Sequence, residues 1–131
     1  MKKNSSQKIT IRKMQKDDLE YINEILNQTY SSSSVYTSQI LESQISLFPA
    51  GQFVVIFNDK VVGFCMTMIV DKRYAEIAHT WKEVTDGGYI YKHNPKGDYL
   101  YGVDICVDLQ FRGKKVGTRL YDERKKLCQS L

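Results

Sequence analysis

The chain has 131 residues, 42% of them hydrophobic and 26% charged. That is the balance of a folded globular domain, and it excludes a disordered or fibrous chain. The net charge is +4 with a pI near 8.9, a mild excess that suits a phosphate-bearing partner without the long basic runs of a nucleic-acid tail. One domain spanning 1–131 is expected. It is long enough to bury roughly two-thirds of its unfolded surface.

The first residues are polar, with no apolar leader segment behind them, and no stretch has the length of a membrane span. A cytoplasmic protein is the expectation. The cysteines Cys65, Cys106 and Cys128 have no metal-ligand spacing. The favoured reading is small buried thiols in a reducing compartment, with a catalytic thiol as the minor alternative. No metal site is expected.

In chain order, Ile9, Ile11 and Met14 suggest a short edge strand over about 8–13. Asp17 or Asp18 can cap a helix carried by Leu19, Ile22, Ile25 and Leu26 to about Tyr30. Ser31 to Ser34 reads as a loop. A second helix is predicted from Thr37 to Leu47, with Leu41, Ile45 and Phe48 on one face and Pro49 with Gly51 ending it. Two apolar, β-rich runs then flank Asn58-Asp59, the pattern of a β-hairpin.

The segment from Lys72 to Asp98 is polar and holds His79, His93 and Trp81. It reads as a long insertion with a short helix or hairpin inside, and segments of this length are often functional. A strong strand follows from Tyr99 to Val107, then a basic turn over Gln110–Val116. A helix over Gly117–Ser130 is predicted next, with Val116, Leu120, Leu127 and Leu131 on one stripe. The basic residues Arg119 to Lys126 read as its solvated face. The resulting order is β-α-α-β-β-(insert)-β-α, an α/β (α+β) class without internal repeats.

The strand–turn–helix unit around Arg112 carries the chemistry. A helix start leaves N–H groups without partners and bears the positive end of the helix dipole. Such a start binds anions. Gly113 and Gly117 permit close approach of a ligand, and Arg112, Lys114, Lys115 and Arg119 add positive charge. Together these suit a diphosphate. Alone, the motif is also compatible with an ordinary basic turn. Neither Gly-x-x-x-x-Gly-Lys-Ser/Thr nor Gly-x-Gly-x-x-Gly is present.

Arg112-Gly113-Lys114-Lys115-Val116-Gly117 resembles the acetyl-CoA-binding motif of the GNAT N-acetyltransferase superfamily, Gln/Arg-x-x-Gly-x-Gly/Ala. The preceding Val107-to-Arg112 stretch is similar to the family's Val-x-Pro-x-x-Arg, with Leu109 at the proline position. Leu120-Tyr121 suits the family's helix. Lys115 stands where the family has a glycine, and a lysine keeps the backbone contact provided its φ is negative. Thr80-Trp81, Gly87-Gly88, His93, Gly97-Asp98 and Leu100 to Val103 are similar to GNAT domains fused to nitrilase-type carbon–nitrogen hydrolases.

The resemblance implies a GNAT-like, mostly antiparallel central sheet flanked by helices, with the C-terminal part of that fold lying beyond this chain. A homodimer or a second chain completing the sheet is then expected. It implies an acyltransferase using acetyl-CoA as cosubstrate and an amine as acceptor. The cofactor residues it implies are Ile105, Cys106, Val107, Arg112, Gly113, Lys114, Lys115, Val116, Gly117 and Thr118. Asp104 is the candidate base, with a purely structural carboxylate as the alternative.

His79 and His93 are further base candidates, with solvated loop histidines as the favoured reading. Trp81, Tyr89, Tyr91, Tyr99 and Tyr101 either line an acceptor pocket or pack the insertion on the sheet, the second being favoured. Two other functions stay open: an acetyl-CoA-binding module without turnover, and a basic RNA-associated domain. Against the latter, aromatic residues are not interleaved with the basic patch.

Overall fold

The computed structural model describes residues 9–29, 36–113 and 115–131. The serine cluster and Lys114 lie outside the described residues. The strands are β1 (Ile9–Lys13), β2 (Gln52–Phe57), β3 (Lys60–Val70) and β4 (Tyr99–Val107). The helices are α1 (Leu19–Thr29), α2 (Ser38–Leu47), α3 (Lys72–Glu76), α4 (Trp81–Thr85) and α5 (Val116–Ser130). The strands form one antiparallel sheet in the order β1-β2-β3-β4, so β1 and β4 are its edges among the described residues.

The hairpin forms as its sequence indicates. Asn58 and Asp59 both take left-handed φ, 53° and 63°, the backbone that lets a two-residue turn follow the twist of its strands. β3 is the centre of the sheet. Every residue from Val61 to Val70 is buried because both faces are covered. On one face Val54, Phe64, Met66 and Met68 pack with Ile22, Ile25 and Leu26 of α1 and with Leu41 of α2. On the other, Val55, Val62 and Cys65 pack with Val116 and Leu120 of α5. A Cβ on Gly63 would lie 3.3 Å from Val116 Cγ1, so this glycine lets α5 sit close on the sheet.

Two local features depart from the sequence reading, and a third settles an alternative it left open. Asp18 does not stand at the N-cap. It closes a 3-10 turn, Lys16–Asp18, that leads into α1, and its buried carboxylate accepts from Gln15 N–H at 2.8 Å and from both Arg12 guanidinium nitrogens at 2.8 and 2.9 Å. Of the short helix or hairpin expected inside the insertion, the helical alternative forms, as two short helices. Leu131 is exposed, so the buried stripe of α5 is Val116 and Leu120, with Leu127 partly covered.

The insertion is tied to the end of β3 by backbone bonds, Asn94 N–H to Ile69 O at 2.8 Å and Asp98 N–H to Val70 O at 2.9 Å. Gln52, fully buried, satisfies its amide against β3: its Oε1 accepts from Thr67 N–H and its Nε2 donates to Thr67 O. The C-terminal part of β3 is therefore fixed by polar contacts that burial makes costly to lose.

Candidate active site at the edge of the fourth strand

The turn after β4 is built from α1 outward. Asp108 is buried and bonds through its N–H to Val62 O at 2.8 Å, while its carboxylate accepts from Gln110 N–H at 2.9 Å. Gln28 of α1 accepts the Leu109 N–H at 3.0 Å. The Phe111 ring meets Phe57 edge-on at 5.2 Å between centroids. These contacts set where the chain leaves the sheet, and so where Arg112 and Gly113 stand.

Gly113 has φ +83° and Lys115 has φ +67°, both left-handed. The condition of a negative φ at Lys115 is not met. This lysine occupies a conformation that favours glycine, and its carbonyl accepts the first helical bond of α5, from Arg119 N–H at 3.0 Å. By helix geometry the N–H groups of Val116, Gly117 and Thr118 precede any intrahelical acceptor. No atom lies within 4 Å of a Cβ built on Gly113 or Gly117, so open space faces both glycines.

That space is a groove of about 350 Å³, lined by Ile105, Cys106, Val107, Arg112, Gly113, Gly117 and Tyr121. Six of the residues singled out in the sequence therefore meet here. Lys115 and Thr118 are exposed at the helix start without lining the groove, and Val116 turns inward against the sheet. Tyr121 was not among the candidate residues. Its place one helical turn beyond Gly117 was the available signal. Arg112 bonds through Nε to Val107 O at 3.3 Å, across the groove's own end.

Backbone alternation turns β4 toward the groove. Since the Asp108 N–H faces β3, the N–H groups of Val107 and Ile105 face the strand's outer edge. The register with β3 shifts between Met66 and Thr67, which leaves Val103 as an extra residue in β4. The Val103 carbonyl accepts from the Trp81 indole N–H of α4 at 2.7 Å.

Beside it, Asp104 accepts from the Tyr36 hydroxyl at 2.8 Å. Burial pushes the Asp104 carboxyl above the ordinary carboxylate range, while the Tyr36 hydroxyl and the Ile105 N–H act in the opposite sense. Asp104 lies on the α1–α2 side of the sheet, next to the bulge.

The remaining candidates separate. His93 is not solvated: it is half-buried, stacked on Phe48 at 4.3 Å, and its Nδ1 accepts the Ile69 N–H at 2.9 Å. Burial lowers its pKa. His79 contacts Ile77 O and lies 3.4 Å from the Tyr101 hydroxyl. Trp81 joins the insertion to β4, and Tyr89 and Tyr91 stack on each other. Cys65 and Cys106 are buried, and burial pushes the Cys65 thiol up to about 12, which leaves it no thiolate at neutral pH. Among the described residues no helix is long and apolar enough to cross a membrane.

An antiparallel sheet thus presents an open groove between the edge of β4 and a glycine-bearing helix start. Residues 19–131 match the family described as Acetyltransferase (GNAT) family, and the chain belongs to it. It is 32% identical over 124 residues to "Probable hydrolase YhcX" of Bacillus subtilis (strain 168), covering 95% of this chain and 24% of that protein. It is 30% identical over 113 residues to "Uncharacterized N-acetyltransferase YkwB" of the same organism, covering 83% of this chain and 50% of that protein. The chain thus spans a quarter to a half of these relatives. The first relative, a probable hydrolase about four times as long as the matched part, agrees with the resemblance to GNAT domains joined to a hydrolase.

Two solved structures share the fold. One is the loading GNATL domain of CurA from Lyngbya majuscula, with TM-score 0.78 and 18% identity, covering 95% of this chain and 60% of that one. The other is the GphF GNAT-like decarboxylase in complex with isobutyryl-CoA, with TM-score 0.72 and 18% identity, covering 86% and 55%.

Proposed function

We propose that this chain is the cosubstrate-binding part of an acetyl-CoA-dependent N-acyltransferase that acetylates an amine. The observation that carries the reading is the groove between the β4 edge at Ile105–Val107 and the helix start at Arg112–Gly117. The residues fit a coenzyme A: open space faces both glycines, N–H donors precede the first helical bond, and a guanidinium stands at the groove's end. The neighbour solved with isobutyryl-CoA supports the same class of ligand.

When bound, acetyl-CoA supplies a thioester carbonyl that an amine can attack. Arg112 and the N–H groups of Gly117 and Thr118 hold the diphosphate. The outward N–H of Val107 would align the pantetheine arm and stand near the thioester oxygen, where negative charge develops on attack, while the Ile105 N–H serves the Asp104 carboxylate. Asp104 would take the proton of the attacking amine, the C–N bond would form as the C–S bond breaks, and coenzyme A would leave as a thiolate that takes up a proton from solvent. Burial raises the proton affinity of Asp104 toward that of a working base. The part of the outer edge of β4 that precedes the groove is covered by a second copy of the chain or by another segment, since an unpaired edge invites strand addition.

Calorimetric titration with acetyl-CoA at moderate salt tests the binding step. Turnover with methylamine, tyramine, spermidine and a peptide amino terminus tests the transfer. Saturable micromolar binding with turnover supports the full reading. Binding without turnover reduces it to a coenzyme A-binding module, and no binding at millimolar ligand removes the cofactor assignment.

A further inference from the structure

Tyr36 is held more firmly than its position just before α2 would require. The Asn23 side chain of α1 clamps its backbone in both directions: the Tyr36 N–H donates to Asn23 Oδ1 at 2.9 Å, and Asn23 Nδ2 donates to the Tyr36 carbonyl at 2.9 Å. The ring is buried, 7% exposed. A Cβ on Gly88 would lie 3.4 Å from Tyr36 Cε1, 3.2 Å from Ile40 Cγ2 and 3.5 Å from Trp81 Cη2, so the ring, α2, the insertion and Trp81 converge at this glycine. Its hydroxyl then reaches Asp104 Oδ2 at 2.8 Å. A clamped backbone and a packed ring leave the hydroxyl little freedom to leave that carboxylate.

We infer that Tyr36, locked by Asn23, is a positioning residue that fixes the rotamer and ionisation of Asp104 beside the β4 bulge, while Trp81 fixes the neighbouring Val103 peptide. The inference rests on the proposed role of Asp104 as base. Three elements outside β4 thereby converge on two consecutive residues of one strand: α1 through Asn23, the segment before α2 through Tyr36, and α4 through Trp81.

A base that must pick up a proton from an amine needs one oxygen free and aimed. Tyr36 holds Oδ2. That bond and the Ile105 N–H together set how the carboxylate is turned toward the acceptor. The hydroxyl donates, so it favours the ionised carboxylate against the burial that opposes it. The titratable group that faces Asp104 is Tyr36 from before α2, while Cys65 of β3 lies on the opposite face of the sheet and feels the Asp104 charge only at a distance. Cys65 stays protonated through the neutral range, so it leaves the Asp104 titration undisturbed.

The test is Tyr36→Phe, which keeps the ring and removes the donor, with circular dichroism to verify folding. The Asp104 carboxyl is titrated by carbon-13 NMR in the full chain, without ligand. In parallel, kcat/KM with acetyl-CoA and the best amine of the panel is followed against pH. The expected result is an Asp104 titration displaced to higher pH, with activity lost most at the acid end and recovered on the alkaline plateau. Asn23→Ala should move both in the same direction by less.

An unchanged Asp104 titration overturns the inference, whatever the rates do. A displaced titration with an unmoved rate profile keeps the tuning by Tyr36 and removes Asp104 as the base. A rate loss uniform across pH shows a merely structural role for Tyr36. If no amine of the panel turns over, the NMR titration alone decides.

Discussion

Lys115 stands at φ +67°, two residues beyond Gly113 at φ +83°, so among the described residues the turn into α5 makes two left-handed steps and only one of them falls on a glycine. A side chain in that region meets its own backbone, at a cost of about 1–2 kcal/mol, and glycine offsets part of the gain through its greater freedom when unfolded. Lys115→Gly should therefore stabilise the chain by about 0.5–1 kcal/mol. Lys115→Val should destabilise it. Urea unfolding of the two variants beside the parent measures both, and a Val variant as stable as the parent would show that the turn relaxes.

Arg112 and Gly113 make the site prediction specific. Arg112→Ala removes a charged donor at the groove's end and should weaken acetyl-CoA binding by about 1.5–3 kcal/mol. Gly113→Val fills the open space that faces this glycine and forces a β-branched residue into φ +83°, so the loss should be at least as large. Calorimetry on folded variants checks the pair. Unchanged affinity in both places the coenzyme somewhere other than this turn.

Asp104→Asn tests the chemistry apart from binding. The substitution keeps shape and removes the proton acceptor. Turnover should fall by roughly 10²–10⁴ while acetyl-CoA affinity stays the same, the signature of a general base. A weakened affinity with proportionate turnover instead assigns Asp104 to holding the bulge.

Much of this was legible because it is local. The strands around Asn58-Asp59, the helix over Leu19–Thr29 and the glycines of the Arg112 turn announce themselves within a few residues of sequence. Six of the residues that the resemblance singles out line one groove. What stayed hidden joins distant positions. Tyr36 reaches Asp104 across 68 residues, and Gln28 reaches Leu109 across 81. A polar residue on a helix face looks the same whether it meets water or a turn half a chain away. The left-handed Lys115 was hidden for a different reason: its conformation is set by where α5 must start to bury Val116, against the preference of its own side chain.

His93 gives a prediction about stability rather than function. Its Nδ1 accepts the Ile69 N–H, which requires that this nitrogen carry no proton, and burial against Phe48 lowers the histidine's pKa. Protonation would set two N–H groups against each other at the join between the insertion and β3. Because the folded pKa lies below the unfolded one, the unfolded chain binds the proton first. The contribution is fully present above about pH 6.5, the ordinary histidine value, and is lost as pH falls from there toward the folded pKa. Melting temperatures measured from pH 7.5 down to pH 5 should decline more steeply for the parent than for His93→Gln, which offers an amide oxygen to Ile69 and does not titrate. Parallel curves for the two would mean that the His93–Ile69 bond adjusts to protonation without cost, and that the acid sensitivity of the chain arises from its carboxylates.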